Sequence, residues 1–193
     1  MKKIIVSMNI TLDGFMSGVD CELDWHLQSW TGEMAECLSE ELSKADTILL
    51  GRVTYDAMSK YWPAKAIDCS FPREDIAFAD MMNSYKKIVF SKTLKNVKWN
   101  NSKLVKKNIA KEIFDLKKEP GKNIIVYGSG QLVSSLMRLN LVDEYQVWIH
   151  PVLLGKGKSL FNGHNYPQQK NMKLFKTKKF ISGVVMLCYE CLS

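Results

Sequence analysis

No apolar run in this sequence reaches the ~18 residues that a membrane-spanning helix needs, so it offers no candidate span. A leader peptide is not evident either. The apolar start Met1-Lys2-Lys3-Ile4-Ile5-Val6 soon meets Asn9, Thr11 and Asp13, and no small-residue cleavage site follows. The segment reads as a buried first strand, and a cytoplasmic protein without a membrane partner is expected. Histidine is scarce, with three residues, and the five cysteines are an odd number with no framework spacing. Cys188 and Cys191 form a lone C-x-x-C in a strand-like run, where positions three apart face opposite ways. No second pair completes a ligand set, so no metal site is expected. Repeats, low-complexity tracts and linkers are missing as well. The 193 residues therefore read as a single domain, 1–193, with one sizeable core.

Charge is present, and unevenly placed. Twelve lysines between Lys86 and Lys122 face only Glu112, Asp115 and Glu119, a local balance of +9 against +7 for the whole chain, which leaves −2 elsewhere. A basic third of a domain suits an anionic small ligand or nucleic acid; equally, it suits a solvated lysine face. Trp99 and Phe114 do not make the interleaved aromatic platform that single-strand binding uses, so no nucleic-acid partner is expected.

Short apolar runs at Ile4–Met8, Thr47–Leu50, Lys87–Phe90, Asn123–Tyr127 and Tyr145–Ile149 have the length of buried strands. Helical patterns lie between them at Glu33–Lys44, Thr54–Lys60, Arg73–Asn83, Ala110–Lys117 and Gln131–Leu139. In the first of these, Met34, Leu38 and Leu42 share one face with acids opposite. Alternating strand and helix predicts an α/β sheet, mainly parallel. The end differs: Lys173–Phe180 and Val184–Cys191 meet through Ile181-Ser182-Gly183 as an antiparallel hairpin. Tyr61–Phe71 and Asn162–Asn171 read as surface loops.

Two nucleotide motifs fail on inspection. Gly155-Lys156-Gly157-Lys158-Ser159 lacks the glycine five before Gly157, where Val152 stands, so it is not a P-loop. Gly128-Ser129-Gly130 starts a dinucleotide fingerprint whose third glycine is Val133. More general physics survives. Asn123–Tyr127, the glycine turn and the helix from Gln131 form a strand, a close backbone approach and a helix N-terminus, which suits phosphate. The same sequence of parts occurs at Thr47–Leu50, Gly51 and Arg52-Val53-Thr54, where Arg52 adds a cation and Thr54 a hydroxyl. A third strand end carries Ser91-Lys92-Thr93. Three such ends on one parallel sheet share an edge and favour a phosphate-rich cofactor.

Five segments taken together resemble dihydrofolate reductase. They are closer still to the reductase domain of the bifunctional riboflavin-biosynthesis deaminase-reductase. They are Ser7–Phe15, Leu50–Tyr55, Val89–Leu94, Tyr127–Leu132, and Leu141-Val142-Asp143-Glu144 followed by Pro151–Gly157. The resemblance implies a three-layer dihydrofolate-reductase-like fold, a homodimer, and NADPH as cofactor. Gly51, Arg52 and Thr54 would hold its pyrophosphate and adenosine side, and Ser91, Lys92 and Thr93 the ribose 2′-phosphate. Gly128, Ser129, Gly130, Gln131 and Leu132 would line the nicotinamide and pyrophosphate path. Asn9, Phe15 and Trp25 would border the substrate, under a flap at Leu12–Glu22. Asp13 is the expected catalytic residue, for substrate orientation or proton supply. The implied reaction is hydride transfer to a C=N bond of a pyrimidine- or pterin-type substrate.

Dihydrofolate reductases carry a carboxylate shortly after a loop tryptophan, facing the pterin. Here the stretch after Trp25, Leu27–Trp30, holds no acid. Proton supply to a ring nitrogen needs such a group, so folate reduction is the weaker expectation. A non-catalytic NADPH-binding protein is the rival from another class.

Overall fold

The computed structural model describes residues 1–65, 73–161 and 169–192. Ile4–Thr11 (β1) is buried along almost its whole length, as a strand covered on both faces must be. It pairs in parallel with Asn123–Tyr127 (β6) on one side and Glu144–His150 (β7) on the other. Beyond β6 lie Ala45–Gly51 (β3), Lys86–Phe90 (β4) and Ser102–Val105 (β5), all parallel. Beyond β7 comes Val185–Cys191 (β10), antiparallel, and then Met172–Lys179 (β9). The eight strands run in the order β5-β4-β3-β6-β1-β7-β10-β9. A separate two-stranded ribbon joins Phe15–Ser17 (β2) to Lys158–Ser159 (β8).

Side-chain alternation sorts the core into two faces. Ile4, Val6, Met8, Leu49, Ile124 and Val126 meet Ile113 and Leu116 of α4 (Ile109–Lys118), and Leu132, Val133 and Leu136 of α5 (Gly130–Arg138). On the other face Ile48, Leu50, Val89 and Ile125 meet helices α1 (Gly32–Ser43), α2 (Arg52–Lys65) and α3 (Arg73–Ser84) through Leu42, Tyr55, Phe78 and Met82. The result is the three-layer, mainly parallel arrangement expected. Burying each large side chain contributes about 1.5–3 kcal/mol, and truncating one such as Leu49 to alanine costs roughly 2–5 kcal/mol.

The C-terminal hairpin is present. Its turn uses Gly183 at φ +85, with the Gly183 N–H donating to Phe180 O. Cys188 lies in the cluster around Trp148, whereas Cys191 packs against the opposite face.

Several expectations need correction. The helix expected at Thr54–Lys60 runs from Arg52 to Lys65, so the start of the expected loop Tyr61–Phe71 is helical. Pro63 lies within α2, and Trp62 beside it packs on Phe78. Residues 66–71 lie outside the described residues, as do 162–168 of the second expected loop. Not every acid of α1 faces water. Glu41 is buried, within 2.8 Å of Lys44 and 2.6 Å of Lys176, and it accepts from the Gln146 amide at 2.8 Å. β5, the β2–β8 ribbon and a 3-10 helix at Asp24–Ser29 are too short or too polar to show in a hydrophobic pattern.

Candidate functional site

The chain leaves β3 into α2 on one face of the sheet and leaves β6 into α5 on the other. Adjacent parallel strands whose connections depart on opposite faces open a crevice between their carboxyl ends. Here that crevice lies between Gly51 and Gly128. Both helices begin at it, α2 at Arg52 and α5 at Gly130. Their first amides have no partner within the helix, so both walls carry partial positive charge.

The glycines are there because the two walls touch. A β-carbon on Gly51 would overlap the Ser129 side chain, coming within 2.6 Å of its Cβ. One on Gly128 would sit 2.9 Å from Thr54 Oγ1. Gly128 and Ser129 are both left-handed, at φ +63 and +60, a conformation that costs Ser129 roughly 1–2 kcal/mol. Gly130 meets the Met16 thioether, so the expected flap rests on the first turn of α5.

The structure thus brings Gly51, Thr54, Gly128, Ser129 and Gly130 together. Arg52 is half-exposed, its guanidinium 3.5 Å from Asp56. An exposed pair of this kind is weak, so turning the guanidinium to an anion gives up little. Phe90 pairs with Gly51, which puts Ser91, Lys92 and Thr93 at the next strand end on the same edge. There the Ser91 hydroxyl accepts from the Leu94 and Thr93 amides at 3.0 and 3.2 Å, fixing the loop, and Lys92 is exposed with no ion pair among the described residues. Gln131 is exposed at the start of α5, whereas the Leu132 side chain turns into the core.

The substrate-side candidates divide into two groups. Asn9 Oδ1 lies 3.0 Å from Nε2 of His150, and the His150 Nδ1 lies 2.7 Å from the Ser29 hydroxyl. The Trp25 ring meets His150 edge-on at 5.2 Å. His150 is completely buried, and burial together with the neighbouring His26 pushes its imidazolium down to about 4. It is therefore neutral at physiological pH. The Trp25 indole N–H is buried without a partner among the described residues, which costs about 1–3 kcal/mol.

Asp13 and Phe15 belong elsewhere. The Asp13 carboxylate accepts from Thr11 Oγ1 at 2.5 Å and from the Leu154 and Gly155 amides at 3.1 and 2.8 Å. The Thr11 bond leads, and with those amides it holds the carboxyl below the usual carboxylate range although burial opposes this. A group so ionised and so engaged anchors the loop after β7. Phe15 packs on Gly157 in the β2–β8 ribbon.

Sequence reasoning passed over His150, Ser29 and Met16. His150 had a signal, since it directly follows the strand-like run Tyr145–Ile149 and so stands at a strand's carboxyl end. A hollow of ≈ 1230 Å³ opens beside Lys3, Asp143, Tyr145 and Cys191, at the opposite edge of the sheet. It adjoins the C-terminal end of α5, whose carbonyls disfavour anions. Among the described residues no helix is long and apolar enough to cross a membrane, and no group of three or more His, Cys, Asp or Glu is placed to hold a metal.

The family model of the RibD C-terminal domain matches residues 2–186. The uncharacterized protein YyaP of Bacillus subtilis is 37% identical over 189 residues, covering 98% of this chain and 95% of that protein. Among solved structures, a protein from Shewanella sp. PV-4 provisionally placed in riboflavin biosynthesis superposes with a TM-score of 0.71 at 23% identity, over 99% of each chain. The diaminohydroxyphosphoribosylaminopyrimidine deaminase/5-amino-6-(5-phosphoribosylamino)uracil reductase of Thermotoga maritima gives 0.68 at 15%, over 99% of this chain and 57% of its own. Dihydrofolate reductase from Enterococcus faecalis, complexed with NADP(H), gives 0.60 at 11%, over 99% and 97%. The fold is that of dihydrofolate reductase.

Proposed function

The chain belongs to the RibD C-terminal domain family, and on that premise we propose that it is an NADPH-dependent reductase acting on a C=N bond of a pyrimidine- or pterin-type heterocycle. Its reaction is most like that of 5-amino-6-(5-phosphoribosylamino)uracil reductase. Family membership and fold support a reductase-type function. The observation that carries the finer reading is the crevice where Gly51 packs on Ser129 and Gly128 on Thr54. Two helix N-termini, close backbone and bordering hydroxyls suit a pyrophosphate.

NADPH fits the residues present. Gly51, Arg52, Thr54 and the Gly128–Gln131 turn would hold its pyrophosphate. Lys92, with Ser91 and Thr93, would take the 2′-phosphate, favouring NADPH over NADH. When bound, it supplies the hydride. The protein orients the acceptor at Asn9 and Trp25 and keeps water out with the Leu12–Glu22 flap. Asp13 would tie the flap's root to the loop after β7, a supporting role distinct from the substrate orientation or proton supply that the resemblance implies. Dihydrofolate is the weaker substrate because Leu27–Trp30 brings no acid. The test is loss of NADPH absorbance with the ribosylaminouracil intermediate and, separately, dihydrofolate. Turnover of the first and not the second is expected; turnover of neither, by protein that binds NADPH, would leave a non-catalytic binder.

A further inference from the structure

We infer that Asn9 determines substrate specificity by presenting its amide N–H groups as donors, and that His150 is the positioning residue that keeps it in that orientation. The inference rests on the reading of this crevice as the reductase site and adds which end of a ligand it selects.

Asn9 borders the crevice for a reason of register. The β1–β6 ladder ends at Ser7 and Tyr127, whereas the β1–β7 ladder continues to Thr11 and His150. Residues 8–11 of β1 therefore have β7 on one flank and no strand on the other, beside the Gly128 turn. Asn9, half-buried, stands on that open stretch.

Its orientation follows from what each atom can do. A carboxamide oxygen only accepts, so the contact of Asn9 Oδ1 with His150 Nε2 places the imidazole proton on Nε2. A neutral ring then has a lone pair on Nδ1, which accepts from the Ser29 hydroxyl at 2.7 Å, a shorter contact than the 3.3 Å from that hydroxyl to His26 O that competes for its one proton. The chain runs one way, from Ser29 through His150 to Asn9. It leaves the Asn9 amino group without a partner among the described residues. The buried Trp25 N–H, beside the same imidazole and without a partner among the described residues, is a second donor. A site end made of donors, with no carboxylate in the chain of contacts, selects ligands with acceptors there, such as an exocyclic ring carbonyl. It rejects amino-substituted rings that present donors, since two facing donors leave both unpaired.

Two measurements test this. Nitrogen-15 NMR of the wild-type protein reads the His150 tautomer directly: Nε2–H is expected, and Nδ1–H would turn the Asn9 carbonyl outward and overturn the inference. Next, uracil and 2,4-diaminopyrimidine, which carry carbonyl acceptors and amino donors at the same two ring positions, are titrated against NADPH-saturated protein. A preference of at least ~10-fold for the uracil is expected, reduced or reversed in Asn9→Asp, which offers acceptors only. His150→Phe should bring the preference towards unity, and His150→Gln, which can still donate to Asn9, should restore it. Equal binding of both probes by the wild type would overturn the inference, as would an unchanged preference in Asn9→Asp. NADPH affinity, measured on the same samples, should be the same in all variants. If wild-type protein fails to bind NADPH yet shows the Nε2–H tautomer and prefers the uracil, the cofactor reading fails and the role of Asn9 stands.

Discussion

Gly51→Ala probes the contact on which the crevice depends. The added methyl overlaps the side chain of Ser129, a short residue held at φ +60 with little freedom to turn away. Overpacking of this kind costs about 1–3 kcal/mol. In a chain of this size each kcal/mol lowers Tm by roughly 2–4 °C, so a loss of roughly 2–12 °C is expected. Ser129→Gly alone should be near neutral, because glycine takes a positive φ without penalty while adding chain entropy to the unfolded state. The double variant Gly51→Ala/Ser129→Gly should then recover most of the loss, since the atoms that collide are gone. Thermal denaturation of the four proteins gives the coupling energy, expected at ~1–3 kcal/mol with the sign of rescue. If Gly51→Ala is harmless, or if its loss is additive with Ser129→Gly, the two walls do not meet as described.

Other expectations concern buried and turn-forming polar groups. His150 is depressed from 6.5 to about 4 when folded, so its stability contribution is whole above pH ~6.5 and is lost as pH falls towards the folded value, a swing of order 3 kcal/mol. Urea unfolding should therefore show a steeper loss between those limits for wild type than for His150→Gln; equal slopes would refute it. Lys87 is fully buried over Trp99 and donates to Met82 O, Asn83 O and Tyr85 O at the end of α3. Lys87→Met leaves those carbonyls without their donor and should cost ~2–3 kcal/mol, or roughly 4–12 °C in Tm; an unchanged Tm would show that the helix end finds other partners. Burial also lowers the Lys87 ammonium to about 8, so the Lys87 contribution to wild-type stability should rise between that pH and its unfolded value, a trend missing from the variant. Asp13→Asn should raise hydrogen exchange at Leu154 and Gly155, the amides its carboxylate accepts; lost turnover with unchanged exchange would instead restore Asp13 as a proton source.

What could be read in advance was whatever depends on neighbours along the chain. Runs such as Ile124-Ile125-Val126 are strands because both faces are covered, and Gly128-Ser129-Gly130 announces a backbone turn by composition alone. β5 was hidden because Ser102-Lys103-Leu104-Val105 is an edge strand with few apolar residues. Glu41 looked solvated because its partners Lys176 and Gln146 lie more than a hundred residues away in β9 and β7. The site was divided in the same manner. Gly51, Arg52 and Thr54 are contiguous and legible, but the meeting of Asn9 with His150 exists only through the β1–β7 register. Asp13 illustrates the converse. The resemblance gave it a chemical role, and only the folded loop shows its oxygens accepting from the Thr11 hydroxyl and the Leu154 and Gly155 amides.

The most direct test of the cofactor site is a fluorescence titration with NADPH and with NADH, repeated for Arg52→Ala and Lys92→Ala. The expected result is NADPH binding in the micromolar range, about −8 kcal/mol, with NADH weaker. Each variant should lose roughly 10-fold or more for NADPH, as removal of a charge-assisted phosphate contact does, while Lys92→Ala leaves NADH binding unchanged. Absence of binding by either nucleotide would contradict the assignment of the Gly51–Gly128 crevice as a dinucleotide site.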